Sequence, residues 1–174
     1  MNAKQAAAQW DHLRLAHGIT LRLLEQVPAD QIAKAPIAGM RSPKELLVHT
    51  YTTMIQGCPE GVVSGEIKDT EATEKGLCER IQSKDDLVKF VNDAWTAGDK
   101  SARAITDAQL AADVKTPWGM SMKGDFVMTV IHDEYFHHRG QLFAYVRTYG
   151  VTPLMMWDFA NNAPQFQPTA QATA

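Results

Sequence analysis

Residues 131–142 run Ile131-His132-Asp133-Glu134-Tyr135-Phe136-His137-His138-Arg139-Gly140-Gln141-Leu142, placing three histidines and two carboxylates inside an otherwise apolar helical pattern. Imidazole and carboxylate groups are common ligands of divalent transition metals, so the cluster suggests a metal site. At 3.6 residues per turn, only groups three or four apart share a helix face. Ile131, Tyr135, Leu142, Val146 and Tyr149 form one apolar stripe, and Glu134, His138, Gln141 and Tyr145 run down its edge. Glu134 and His138 therefore point the same way. His137 falls to the opposite side with Asp133 and Gly140. His132 lies beyond the far edge of the stripe, near Phe136 and Arg139, as a packing residue or a support behind a ligand.

Two ligands from one helix leave a divalent ion under-coordinated, so another element must supply a third. The best candidate is His49. It lies in a segment that opens as helices do, with Ser42 as N-cap, Pro43 at the first helical position and Glu45 three residues after the cap. His49 then sits at the edge of the face carrying Leu46, Leu47, Thr50 and Met54, and can point into a bundle interior. Each residue also has an ordinary reading. A histidine on an apolar face is commonly a hydrogen-bonded core residue; Glu134 can pair with Arg139 or Lys123, or orient an imidazole rather than bind metal. His137 and His138 can form a solvated pair at a subunit contact. The capping position explains Glu45 without metal. His17, among Leu13, Thr20, Leu21 and Leu24, reads as a buried structural histidine, with an approach to the site as the alternative.

The elements that must position these groups are helical. A first helix spans residues 3–26 and stops before Pro28; a second covers residues 43–56. Gly57, Pro59, Gly61 and Gly65 then break the pattern, and a polar stretch leads as a long crossover to Ser83. Ser83 caps a third helix, with Asp86 three residues on and Leu87, Val91, Ala94, Trp95, Ala102 and Ile105 at helical spacing. Thr116-Pro117-Trp118-Gly119 is a turn or short extended piece. A fourth helix then runs over residues 123–149 to its stop at Gly150. The prediction is an all-α four-helix bundle with one long crossover between helices 2 and 3, a single domain over residues 1–160 and a frayed tail over 161–174 that includes Asn161 and Asn162.

Composition excludes several classes. With 174 residues and 45% hydrophobic content, one domain can bury an ordinary core without disulfides. Cys58 and Cys78 fall in the loop-like middle and no secretory signal opens the chain, so reduced thiols in a cytoplasmic protein are expected. The net charge of −3, from 17 basic and 20 acidic residues, gives no nucleic-acid surface. No apolar run approaches the roughly 20 residues of a membrane span. A di-iron carboxylate bundle needs two Glu-x-x-His motifs, and only Glu134 to His137 fits, so a mononuclear site is the economical reading.

The run from His132 to Leu142, with His49 in an earlier helix, Thr116-Pro117-Trp118-Gly119 upstream, and Thr152-Pro153 and Trp157-Asp158-Phe159 downstream, resembles the DinB-like (damage-inducible, YfiT-related) superfamily. That resemblance implies a four-helix bundle with a three-histidine metal site, one ligand on the second helix and two, four residues apart, on the last. By position these are His49 and His138, with Glu134 standing where many relatives have histidine. The implied set is thus His49, Glu134 and His138 around a divalent transition metal (zinc, nickel, iron or manganese). The resemblance further implies a metal-dependent enzyme of thiol S-transferase or hydrolase type acting on a small-molecule substrate, with a low-molecular-weight thiol as partner. Such an ion lowers the pKa of water or thiol beside it, and Tyr145 and Arg139 are potential assistants. The alternative is a non-catalytic dimeric helical bundle serving in stress response or ligand binding. In either case the exposed ends of the first and fourth helices suggest a homodimer.

Overall fold

Reciprocal capping boxes start three of the long helices in the computed structural model, which describes residues 1–68 and 70–168. Asn2 and Gln5 cap α1 (Ala3–Gln26), and Ser42 and Glu45 cap α2 (Pro43–His49). In each box a side-chain oxygen takes up an amide that the first helical turn leaves without a partner. The helix from α2 does not stop where its glycines suggested. It continues through a π-helical segment (Thr50–Gly57) into α3 (Cys58–Ser64) and ends at Gly65, whose φ of 85° suits a residue without a Cβ.

Pro59 accounts for the departure from the expected end near residue 56. It has no amide for the Ile55 carbonyl four residues back, and the wider π turn keeps the rod continuous across that gap. The carbonyl of Ile55 is pressed against a later helix at Gly98, where any side chain would collide with it. A glycine inside that helix is therefore the counterpart of the π-helical segment.

The expected crossover is itself partly helical. α4 (Glu71–Arg80) lies across α2, buries no residue completely, and carries Cys78; Cys58 opens α3. Both cysteines are therefore helical rather than in loops. Both are free, and burial pushes the Cys58 thiol up to about 12, which leaves it inert at neutral pH. α5 (Lys84–Ala104) starts at the Ser83/Asp86 capping box. After α6 (Asp107–Ala111), β1 (Asp113–Lys115) and β2 (Ser121–Lys123) form an antiparallel hairpin around the Thr116–Gly119 turn. α7 (Gly124–Thr148) follows directly and ends before Gly150 at φ 76°.

Among the described residues the fold is all-α apart from that hairpin and a single parallel bridge from Glu66 to Lys115. α1, the α2–α3 rod, α5 and α7 surround a core in which Trp10 stacks on Trp95 at 5.2 Å. No helix among the described residues is long and apolar enough to cross a membrane. The C-terminal segment differs from its expected fraying. Arg22 pairs with Asp158 at 2.6 Å, and buried Asn162 donates to the carbonyls of Leu15 and Phe166 at 3.0 and 2.9 Å. Packing thus continues past residue 160 to Phe166, whose ring meets His17 edge-on at 4.7 Å. Short polar segments tied to carbonyls leave no periodic signal, which is why the sequence read as loose. The rest of the expected tail, residues 169–174, lies outside the described residues.

Candidate metal centre

His138 projects from the middle of α7 and is 6% exposed. Its Nδ1 lies 3.0 Å from Gln141 Oε1, an acceptor one turn on, so Nδ1 carries the proton and Nε2 presents a bare lone pair. That Nε2 is buried without a hydrogen-bond partner. It lies 3.4 Å from Glu134 Oε2. Burial, with smaller contributions from His49 and His137, lowers the pKa of His138 against the opposing pull of Gln141 and Glu134. At neutral pH a lone pair and a carboxylate oxygen therefore face each other, an arrangement that a cation between them would relieve.

His49, the last residue of α2, brings its ring to 5.0 Å from that of His138, edge to face at 87°. Its Nδ1 lies 3.0 Å from Glu74 Oε1 on α4, which leaves Nε2 as the free acceptor. The Glu74 carboxylate also takes the Thr53 hydroxyl at 2.6 Å, and Thr53 touches Thr70 at 2.9 Å. Burial pushes the Glu74 pKa up, but the hydrogen bonds from His49 and Thr53 outweigh it and hold the carboxyl below its usual range. A carboxylate behind an imidazole fixes its tautomer and raises its basicity, as behind histidines that bind metal.

The structure thus brings His49 and His138 together and sets Glu134 beside His138. Among the described residues, no group of three His, Cys, Asp or Glu side chains is drawn into metal-holding geometry. The arrangement consists of two abutting pairs, Glu74–His49 and His138–Glu134, with the Glu134 side chain 44% exposed at the rim. The donor types suit a divalent transition ion, and the orphaned Nε2 of His138 gives it a reason to bind.

Glu74 was missed by the sequence reading. It sits in the polar crossover on a helix without a fully buried residue, so no apolar period marks it; two acidic residues, Glu71 and Glu74, in its first turn were the available signal. The other singled-out residues have structural partners. Glu45 accepts from the Ser42 amide and hydroxyl, both at 2.7 Å. Tyr145 donates to the Arg41 carbonyl at 2.9 Å, and Lys123 pairs with Asp113. His132 packs on Phe136 at 4.7 Å, and exposed His137 accepts from Gln141 at 3.3 Å. The Arg139 guanidinium lies 4.6 Å over the Phe136 ring and is 5% exposed as a residue. His17 stacks on Trp95 and reaches Tyr51 at 2.7 Å, away from the pair.

Behind His138 a cavity of about 10 Å³, bordered by Tyr51, Tyr135 and Arg139, has room for about one water. The pair therefore opens to solvent on the Glu134 side. A larger cleft of about 750 Å³ lies between the π-helical segment, α4 and α5 and includes none of the three candidate ligands. Its wall at Thr70 connects to His49 through Thr53 and Glu74.

Residues 1–169 match the DinB family. The solved structure of a DinB-like protein, YjoA, from Bacillus subtilis is similar, with 21% identity and a TM-score of 0.64 over 81% of this chain and 90% of that one; at such identity the likeness shows the fold alone. No curated protein matches the chain. A match over nearly the whole length establishes that this chain belongs to the DinB family.

Proposed function

We propose that this protein is a metal-dependent enzyme of thiol S-transferase or hydrolase type, holding one divalent transition ion with His49, Glu134 and His138. The observation that carries the reading is the buried, unpartnered Nε2 of His138, aimed at a carboxylate with a second imidazole beside it. A divalent ion bound there would act as a Lewis acid, lowering the pKa of a neighbouring water or low-molecular-weight thiol and polarising an electrophilic small molecule. The chain's own residues prepare for it. Glu74 and Gln141 hold the two imidazoles in the tautomer that offers Nε2, Glu134 adds one negative charge, and the rim at Glu134 admits substrate.

A non-catalytic, ligand-binding bundle is the second reading, favoured by the 750 Å³ cleft that excludes all three candidate ligands. Elemental analysis and melting with and without chelator separate the two. The enzyme reading expects about one transition ion per chain and a chelator-sensitive melting temperature, both lost in His138→Ala. If His138→Ala keeps its metal and its melting curve, or if the wild type melts identically with and without chelator and carries no metal, the reading fails.

A further inference from the structure

The cleft of about 750 Å³ between the π-helical segment, α4 and α5 has the size of sites that take small molecules. Helix faces build it at regular spacing. Gln56, Glu60 and Ser64 follow one another at four-residue intervals along the α2–α3 rod, and Phe90, Asp93 and Ala97 at intervals of three and four along α5. From α4 comes half-buried Leu77.

One wall carries an unmet polar group. Thr52, in the π-helical segment, is 8% exposed, and its hydroxyl is buried without a hydrogen-bond partner. Its neighbours show the ordinary solutions: Thr50 returns its hydroxyl to the Leu46 carbonyl at 2.7 Å, and Thr53 meets Thr70 and Glu74. A buried hydroxyl left out of such bonds costs free energy that a ligand's polar group would recover.

Charge decides which polar group that is. Among the described residues lining the cleft, Glu60, Glu66 and Asp93 set three carboxylates against the single ammonium of Lys68. Asp93 pairs with Lys89, yet both side chains are more than half exposed, so the pair is weak and open to exchange with an incoming cation. A bare metal ion fits poorly, because no three His, Cys, Asp or Glu side chains among the described residues stand in metal-holding geometry. Half-buried Phe90 and Leu77 offer apolar surface instead, and an aromatic ring beside carboxylates suits an organic ammonium.

We propose that this cleft binds a small primary amine with an apolar body. Its ammonium is drawn by Glu60, Glu66 and Asp93, the Thr52 hydroxyl accepts one of its hydrogens, and its body lies against Phe90 and Leu77. The assignment names an occupant for the ligand-binding reading and stands whether or not the histidine centre holds an ion.

Amide NMR shifts of the full chain, titrated with phenethylamine, 2-phenylethanol and 3-phenylpropionate, test the proposal. The three probes share a body and differ in charge. Phenethylamine is expected to shift the amides of Thr52, Phe90 and Asp93 and to bind about tenfold more tightly than the alcohol, while the carboxylate leaves those amides in place. Asp93→Asn should weaken the amine about fivefold and leave the alcohol as it was; Thr52→Val, which keeps the side-chain shape, should also weaken the amine. The amine should bind His138→Ala as it binds the wild type, which separates this outcome from the metal reading that elemental analysis tests. Amine and alcohol bound alike, a carboxylate bound as tightly as the amine, or shifts confined to residues outside the cleft would overturn the proposal. So would amine affinity unchanged in both Asp93→Asn and Thr52→Val, amine binding lost in His138→Ala, or a wild type that none of the three probes shifts.

Discussion

His17 and His138 are both buried imidazoles with Nδ1 in a hydrogen bond and Nε2 unpartnered, yet their surroundings differ in kind. His17 lies flat against Trp95 at 4.5 Å and 9°, with the edge of Phe166 at 4.7 Å, and among the described residues no carboxylate is paired with it. His138 looks at Glu134 and lies beside His49. A buried histidine is thus no sign of a site by itself. A bare nitrogen in an aromatic box is a packing solution, whereas a bare nitrogen opposite an anion has room and charge for a cation.

The largest effect that sharpens this contrast is acid sensitivity. Burial pushes the His17 pKa from 6.5 down to about 3. Above the unfolded value the ring is neutral in both states and its contribution is complete. As pH falls from 6.5 towards 3, only the unfolded chain takes up the proton, and stability drops by about 1.4 kcal/mol per pH unit, roughly 3 kcal/mol by about pH 4. Replacing His17 with Phe should flatten that part of the curve in urea titrations at pH 7 and pH 4 while leaving metal content unchanged. An equally steep curve in His17→Phe would show that the acid sensitivity arises elsewhere.

A smaller effect separates the partners behind the two rings. Glu74→Gln keeps an acceptor for His49 but removes its charge, so metal affinity should fall by about tenfold, the low end for residues that support a ligand. Tyr51→Phe, which removes the partner of His17, should leave affinity unchanged. Competition with a chromophoric chelator reads both. Equal losses in the two variants would erase the distinction between the rings.

What was legible in the sequence follows from what leaves a periodic trace. The Ser42/Glu45 and Ser83/Asp86 capping boxes are local, so they name helix starts without tertiary information. The spacing of Glu134 and His138 is likewise a property of one helix, and their proximity follows directly from it. Glu74 reaches His49 across 25 residues of chain from a helix with no buried stripe, a contact decided by tertiary packing. The π-helical segment was hidden for a different reason. Gly57, Pro59 and Gly61 are breakers in α-geometry, and only the approach of α5 at Gly98 shows why the chain holds another register there.

The smallest expected effect concerns Glu134, the carboxylate at the rim of the proposed set. Its side chain is 44% exposed, so its pairing with His138 contributes at most about 1 kcal/mol to folding, and substitution should leave the metal-free melting temperature nearly unchanged. Glu134→His would turn the proposed set into three imidazoles, still able to hold an ion, so affinity for zinc or nickel should change by less than about tenfold. The difference should appear in selectivity. Carboxylate oxygen favours manganese more than imidazole does, so the variant should bind manganese more weakly relative to nickel than the wild type. Measured ratios that coincide in the two proteins would remove Glu134 from the ligand set and leave its charge as the only thing it gives His138.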